Sequence, residues 1–239
     1  MQKALSTFLA EIELDQLAAL PEKIGPLSTQ EQGYIRQILQ SRKDIQGVAN
    51  LLMYPLVIPE EMRLETTLRA LKDTANPYCV LAAVVGCQNL PYDEFTSDLG
   101  IEILHTIVEI IHQNKGIIAQ RASVILADKL WFSPSLQQEK VIALLNHEDR
   151  VVVHNCMVAL IPMVGLENFR KKLNDSVQKG LITEATRINV EARLQSIRGF
   201  HLDNSIDDEK FDLGSLKVPL LSYVPNYQDW IETVATDQA

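Results

Sequence analysis

The sequence predicts an all-α fold: an α-solenoid, in which antiparallel helix pairs stack in a row. Three observations predict it. Apolar residues recur at helical spacing through most of residues 3–198, short polar turns separate the apolar runs, and similar segments recur about every 34–40 residues. Hydrophobic residues make up 46% of the chain but aromatic residues only 6%, which favours helix packing over a β-sandwich.

The clearest helix pair is residues 143–165, "ALLNHEDRVVVHNCMVALIPMVG". One apolar run ends, "NHED" forms a turn, and a second apolar run follows at once. Asp149 is placed to cap the second helix by accepting N–H bonds from its first turn, and Gly165 is placed to end it. Pro162 lies within this helix and is expected to kink or shorten it.

The same pattern occurs twice upstream. Residues 109–131 align with the pair above at an offset of about 34 residues, and residues 68–90 align one step earlier at about 40 residues. Pro77 opens the second helix of that earlier pair, where its missing N–H is harmless. A single helix pair cannot bury both of its apolar faces, whereas stacked pairs share a continuous core.

Residues 136–165 resemble a HEAT repeat through Leu144-Leu145, the turn residue Asp149, Val151 and the "VAL" of 158–160. The resemblance is clearest over residues 101–165, and His154 stands near the place of the usual Arg of the family. It implies an armadillo-like α-solenoid and specifies no activity.

The flanks extend the row of helices. Residues 30–58 are predicted to form a pair stopped by Pro59, residues 3–20 a single helix, and residues 166–179 and 182–198 a terminal pair. The expected organisation is therefore a HEAT-like helical domain over residues 1–199 and a partly ordered acidic tail over residues 200–239.

The tail holds 8 acidic and 2 basic residues, whereas residues 166–199 hold 7 basic and 4 acidic ones. One hypothesis is that the tail folds back along the terminal helix pair, and the alternative is a loose solubilising tail. The apolar anchors expected for docking are Leu220, Leu221, Tyr223, Tyr227 and Trp230.

Composition excludes several classes of function. The net charge of −9 argues against a nucleic-acid binder, which usually carries a basic stripe. No uncharged stretch is long enough to span a bilayer, and the first 20 residues do not form a secretory signal. Cys79, Cys87 and Cys156 lie in apolar runs without a C-x-x-C motif, which indicates buried thiols in a reducing compartment. A cytoplasmic protein is expected.

Two repeats of E-x-x-H occur in "GIEILHTIVEIIH", residues 100–112. On a helix, Glu102, His105, Glu109 and His112 fall within about 100° of one another. Such a stripe is capable of binding zinc or iron, but apolar residues fill the rest of the circumference, so a solvated face is the prediction and a metal site the alternative. No metal and no cofactor are expected.

Five polar residues on the predicted second helices are candidate partner-binding residues, because second helices line the concave face of HEAT-like stacks. They are Arg121, Asp128, Lys129, His154 and Asn155. No nucleophile elbow, phosphate-binding loop or dinucleotide fingerprint is present, so no catalytic residue is assigned.

The predicted function is a non-catalytic protein-interaction module, a scaffold or adaptor that binds a peptide or protein surface on the concave face. Two alternatives stay open: a HEAT-like enzyme or cofactor-handling protein, such as a bilin-lyase-like chromophore attachment factor, and a structural subunit of a stable complex. The chain is expected to be a monomer or a subunit of a hetero-complex.

Overall fold

Ten α-helices, labelled α1 to α10 in chain order, make up most of residues 29–41, 45–130 and 138–201, the part of the chain described by the computed structural model. They are Thr29–Ser41, Ile45–Met53, Glu60–Leu71, Pro77–Asn89, Asp98–Gln113, Gly116–Lys129, Gln138–Ala143, Arg150–Val164, Leu166–Gln178 and Glu184–His201. These residues contain no β-strand. The predicted all-α class is therefore confirmed for them.

The sequence places the ten helices in five successive pairs, and the two helices pack against each other in α1–α2, α3–α4, α7–α8 and α9–α10. Asp149 caps α8 as predicted, because its Oδ1 accepts a hydrogen bond from the N–H of Val151 at 2.8 Å. Gly165 ends α8 with a φ of 76°, a conformation that favours glycine. Pro77 occupies the first turn of α4, where no N–H is needed.

The described residues divide into two compact units, the first ending at Thr106 and the second beginning at Ile107. In the first unit, α4 packs against both α2 and α3. A Cβ added at Gly86 of α4 would overlap the backbone carbonyl of Leu52 on α2, so the two helices approach closely because Gly86 has no side chain. The large side chains fully buried in this unit include Leu51, Leu52, Ile58, Leu71, Leu81, Leu90 and Phe95.

A largely buried ion pair joins two connections of the first unit. The Nη1 of Arg63 contacts Oε1 of Glu94, and the Nε of Arg63 donates to the carbonyl oxygen of Pro55 at 2.9 Å. Arg63 thereby ties the 3₁₀ turn Pro55–Val57 to the 3₁₀ turn Tyr92–Thr96. The carbonyl oxygen of Pro55 thus accepts two hydrogen bonds, one from Arg63 and one from the N–H of Ile58 at 3.0 Å.

In the second unit, α8 packs against α6, α7 and α9, and α9 also packs against α7 and α10. The core combines small and branched apolar residues, which allow the helices to approach closely. It includes Ala119, Ala122, Ile125, Leu126, Val152, Cys156, Leu160, Phe169 and Val190.

Three local details differ from the sequence-based expectation. The helix expected to continue to Pro59 ends at Met53, because Pro55 lacks an N–H and starts a 3₁₀ turn instead. The first helix of the fourth pair tightens into a 3₁₀ turn over Leu144–Asn146. Pro162 does not shorten α8, which continues to Val164. The helix expected at residues 3–20 lies outside the described residues.

The predicted division into a domain over residues 1–199 and a tail over residues 200–239 stays a prediction, because residues 202–239 lie outside the described part of the chain.

Candidate binding groove

Two polar side chains are sealed between α6 and α8. Asn155 Nδ2 donates to Ser123 Oγ at 2.9 Å, and Ser123 Oγ donates to the carbonyl oxygen of Gln120 at 2.7 Å. Asn155 is 2% exposed and Ser123 is 0% exposed. A satisfied hydrogen bond in such a place fixes the register of the two helices.

Most of the five predicted partner-binding residues are not available on a surface. Arg121 and Lys129 are 5% and 2% exposed, and Asn155 is engaged with Ser123 as described above. Burial lowers the pKa of Arg121. Asp128 and His154 are half-buried, and Lys129 Nζ lies 3.2 Å from Oδ2 of Asp128. The predicted binding role stays a prediction, and only Asp128 and His154 present accessible atoms for it.

The E-x-x-H stripe on α5 lies on the accessible side of that helix. Glu102, Glu109 and His112 are exposed and His105 is half-buried. Glu102 is already paired with Lys72, which lies just after α3. No group of three or more His, Cys, Asp or Glu residues within the described ranges is arranged to hold a metal ion.

Neighbouring helix pairs of the second unit are joined through their turns. His147 accepts the N–H of Asp149 at Nδ1, so Nε2 carries the ring proton and faces the carbonyl oxygen of Asn114 at 3.3 Å. Asn146 Nδ2 donates to the carbonyl oxygen of Leu181 at 2.7 Å, and its Oδ1 accepts the N–H of Thr183 at 3.2 Å. Three turns, from the third, fourth and fifth pairs, are therefore hydrogen-bonded in series. The "HED" of this turn has a structural role.

An open groove of about 540 Å³ lies between α8 and α10, bordered at one end by the residue 145–149 turn. Its floor is formed by the apolar residues Leu145, Val153 and Val190, which are almost fully buried. Asn189 and Arg193 of α10 stand on one side and Arg150 of α8 on the other. The remaining lining residues are Asn146, His147, Glu148, Thr186 and Ala192.

Two arginines line this groove. Arg193 Nη1 donates to the carbonyl oxygen of Arg150 at 3.0 Å, which brings the two residues together. Partial burial and the positive charge of Arg150 lower the pKa of Arg193. Within the described ranges neither arginine has a carboxylate partner, whereas Arg170 and Arg187 of the same unit pair with Glu191 and Glu184. The groove therefore presents positive charge that nearby described side chains do not neutralise.

One acidic residue also lines the groove. Glu148 Oε1 lies 2.7 Å from Lys115 Nζ, so its charge is already compensated by the turn of the preceding pair. Carboxylates and phosphates are the groups that a guanidinium fork binds best, because two parallel N–H donors match two oxygens. An apolar floor beside two such forks suits an acidic peptide that also carries apolar side chains.

The groove was not predicted from the sequence. Arg150 and Arg193 are 43 residues apart in the chain, and the spacing of charges alone does not bring them together. The only signal was the excess of basic residues in 166–199, which contains Arg193. The predicted tail anchors Leu221, Tyr223, Tyr227 and Trp230, with Leu220, lie outside the described residues.

The cysteines are buried as predicted, and none forms a disulfide bond. Burial raises the pKa of Cys156 to about 12, so its thiolate is scarce at neutral pH and the residue is a poor nucleophile. No single helix in the described ranges has the length and apolar character of a membrane span; α8 and α9 meet that requirement only when combined, across a bend of 117°.

Comparison of the chain with protein-family models, with curated proteins and with solved structures yields no match.

Proposed function

We propose that the chain is a HEAT-like α-solenoid that acts as a non-catalytic protein-interaction module, a scaffold or adaptor. The groove between α8 and α10 would be its binding surface, and a segment of a partner protein its ligand. The single observation that carries the proposal is the open groove with two arginines that lack a described carboxylate partner.

Two features support the solenoid part of the proposal. Most helices pack against the helix that follows them, and the predicted second helices of adjacent pairs also pack together, α2 with α4 and α6 with α8. The groove lies between α8 and α10, which are likewise second helices, and this is the surface on which α-solenoids bind their ligands.

Small-angle X-ray scattering tests the solenoid. A compact chain of this length would have a radius of gyration of about 18 Å. A solenoid gives a clearly larger value at a monomeric molecular mass, which light scattering measures on the same sample. A radius near that of a compact chain would contradict the solenoid.

Affinity capture tests the groove. The amount of partner protein retained by the immobilised full chain is compared with that retained by the variant Arg150→Glu/Arg193→Glu and by the control Lys171→Glu. The control alters an exposed charge on α9 outside the groove. A true partner is retained by the wild type and the control but is reduced about tenfold by the double reversal. Equal retention by all three proteins would contradict a role for the groove.

A further inference from the structure

The groove has a candidate occupant in the same chain. Residues 203–212, "DNSIDDEKFD", begin two residues after the end of α10 and contain five acidic residues and one basic residue. They also contain Ile206 and Phe211, whose side chains suit the apolar floor of the groove. We propose that residues 203–212 dock in the groove between α8 and α10, where Asp207 and Asp208 pair with Arg150 and Arg193.

Charge complementarity supports this docking. The groove offers two guanidiniums with no carboxylate partner among the described residues, and its one acid, Glu148, already pairs with Lys115. The proposed segment carries the densest run of acids in the chain, Asp207, Asp208 and Glu209. Carboxylate–guanidinium pairs beside an apolar floor are stronger than fully solvated ones.

The length of the connection also permits it. Eight residues of α10 separate Arg193 from His201, a helical rise of about 12 Å. An extended chain covers about 3.3 Å per residue, so the six residues from His201 to Asp207 span about 20 Å. The connection is therefore long enough for the acidic run to reach Arg193, and tethering would give it an effective concentration in the millimolar range.

Such docking would make the groove self-occupied, so that a partner must compete with residues 203–212. The inference rests on the proposed function only in taking this groove to be the binding surface. It goes further by naming a regulator, the chain's own acidic segment.

A competition experiment with the full chain tests it. A fluorescent peptide with the sequence of residues 203–212 is titrated with the wild type and with the neutralised variant Asp207→Asn/Asp208→Asn/Glu209→Gln, and binding is read as anisotropy. We expect the neutralised variant to bind the peptide about tenfold more tightly than the wild type, because its groove is free. Adding Arg150→Glu/Arg193→Glu to the neutralised variant should abolish binding, whereas adding Lys171→Glu should not.

The possible failures differ. Equal, arginine-dependent binding by the wild type and the neutralised variant would overturn self-occupation and leave the groove as a binding surface. No binding of the peptide by any variant would overturn self-occupation and also count against the groove as a site for acidic peptides. If the charge reversals lower the melting temperature, Arg150→Gln/Arg193→Gln replaces them.

Trypsin provides a second measurement on the full chain, since Lys210 lies in the proposed segment. Cleavage after Lys210 should be about tenfold faster in Arg150→Gln/Arg193→Gln than in the wild type or in Lys171→Gln. Equal cleavage rates in the three proteins would overturn the docking.

Discussion

Helix α8 is packed differently on its two sides, against α6 and towards α10. Against α6 it is closely packed, and the polar atoms in that interface are hydrogen-bonded to each other, as in the Asn155–Ser123 pair. Towards α10 it leaves an open groove whose charged side chains, Arg150 and Arg193, have no described carboxylate partner. Both neighbours are predicted second helices of adjacent pairs. Equivalent elements therefore form a closed, stabilising contact on one side of α8 and an open groove on the other.

The difference shows that two sides of one helix can serve different purposes. A closed contact needs small residues and satisfied polar groups, since each unpaired buried group costs about 1–3 kcal/mol. An open groove tolerates charge because solvent hydrates it until a ligand arrives. We therefore expect substitutions in closed contacts to change stability and substitutions in the groove to change binding.

The largest expected effect tests the closed type of contact in the first unit. In Gly86→Ala, the new Cβ would overlap the Leu52 carbonyl, so α2 and α4 must separate. We expect the free energy of unfolding to fall by about 3 kcal/mol, measured by urea denaturation followed by circular dichroism. The control is Gly33→Ala at an exposed position of α1, where nothing lies within 4 Å of the added atom. It should raise stability by up to about 1 kcal/mol. If Gly86→Ala leaves the free energy of unfolding unchanged, α2 and α4 are not packed this closely.

The next effect tests the closed side of α8. Asn155→Leu removes the hydrogen bond to Ser123 in a fully buried place, and we expect a loss of about 2 kcal/mol in unfolding free energy. A double-mutant cycle with Ser123→Ala isolates the pair, with an expected coupling of about 1 kcal/mol. Additive losses would mean that the two side chains do not interact.

A smaller effect is expected on the open side. Arg193→Ala removes one hydrogen bond to the carbonyl of Arg150 but also relieves the repulsion between two like charges. The two changes oppose each other, so the loss of unfolding free energy should stay below about 1 kcal/mol. A loss as large as that of Asn155→Leu would erase the proposed contrast between the two sides of α8.

The smallest effect concerns the rim of the groove. A hydrogen bond from Lys115, together with its positive charge, lowers the pKa of Glu148 below its ordinary value of 4.5. Because the folded-state pKa is the lower one, the pair stabilises the protein above pH 4.5 and loses this contribution as the pH falls through the folded-state pKa. Both side chains are exposed, so salt should screen the effect.

Melting temperatures of the wild type and Glu148→Gln as a function of pH provide the measurement for this last expectation. A small difference in melting temperature should be present at neutral pH and vanish in acid. It should also shrink in 1 M salt, where the screening length falls to about 3 Å. A difference that persists in acid would have to come from something other than the ion pair.

Much of the fold was predictable because it depends on local signals. Periodic apolar residues, the cap Asp149, the stop Gly165 and the opening Pro77 place the helix pairs correctly, since each acts within a turn or two of its own position. The 3₁₀ turn at Pro55–Val57 was missed although its signal is also local, because Pro55 lacks the N–H that would continue α2.

The candidate site was not predictable in the same way. Charge type predicts exposure for arginine and lysine, yet Arg121 and Lys129 are buried while the groove uses Arg150 and Arg193. The groove depends on how far apart two second helices lie, a distance that no local pattern records. The sequence could predict which helices have an accessible face, but not which of their side chains are exposed on that face.

The cap of α8 carries a consequence for cooperativity. Asp149 uses Oδ1 to start its own helix and Oδ2 to accept a hydrogen bond from Gln120 of α6 at 2.7 Å. One carboxylate thus couples the nucleation of α8 to its docking on the preceding helix pair. The amide of Val151 should therefore exchange with solvent deuterium in step with the amides in the middle of α6, so that the two pairs open as one foldon.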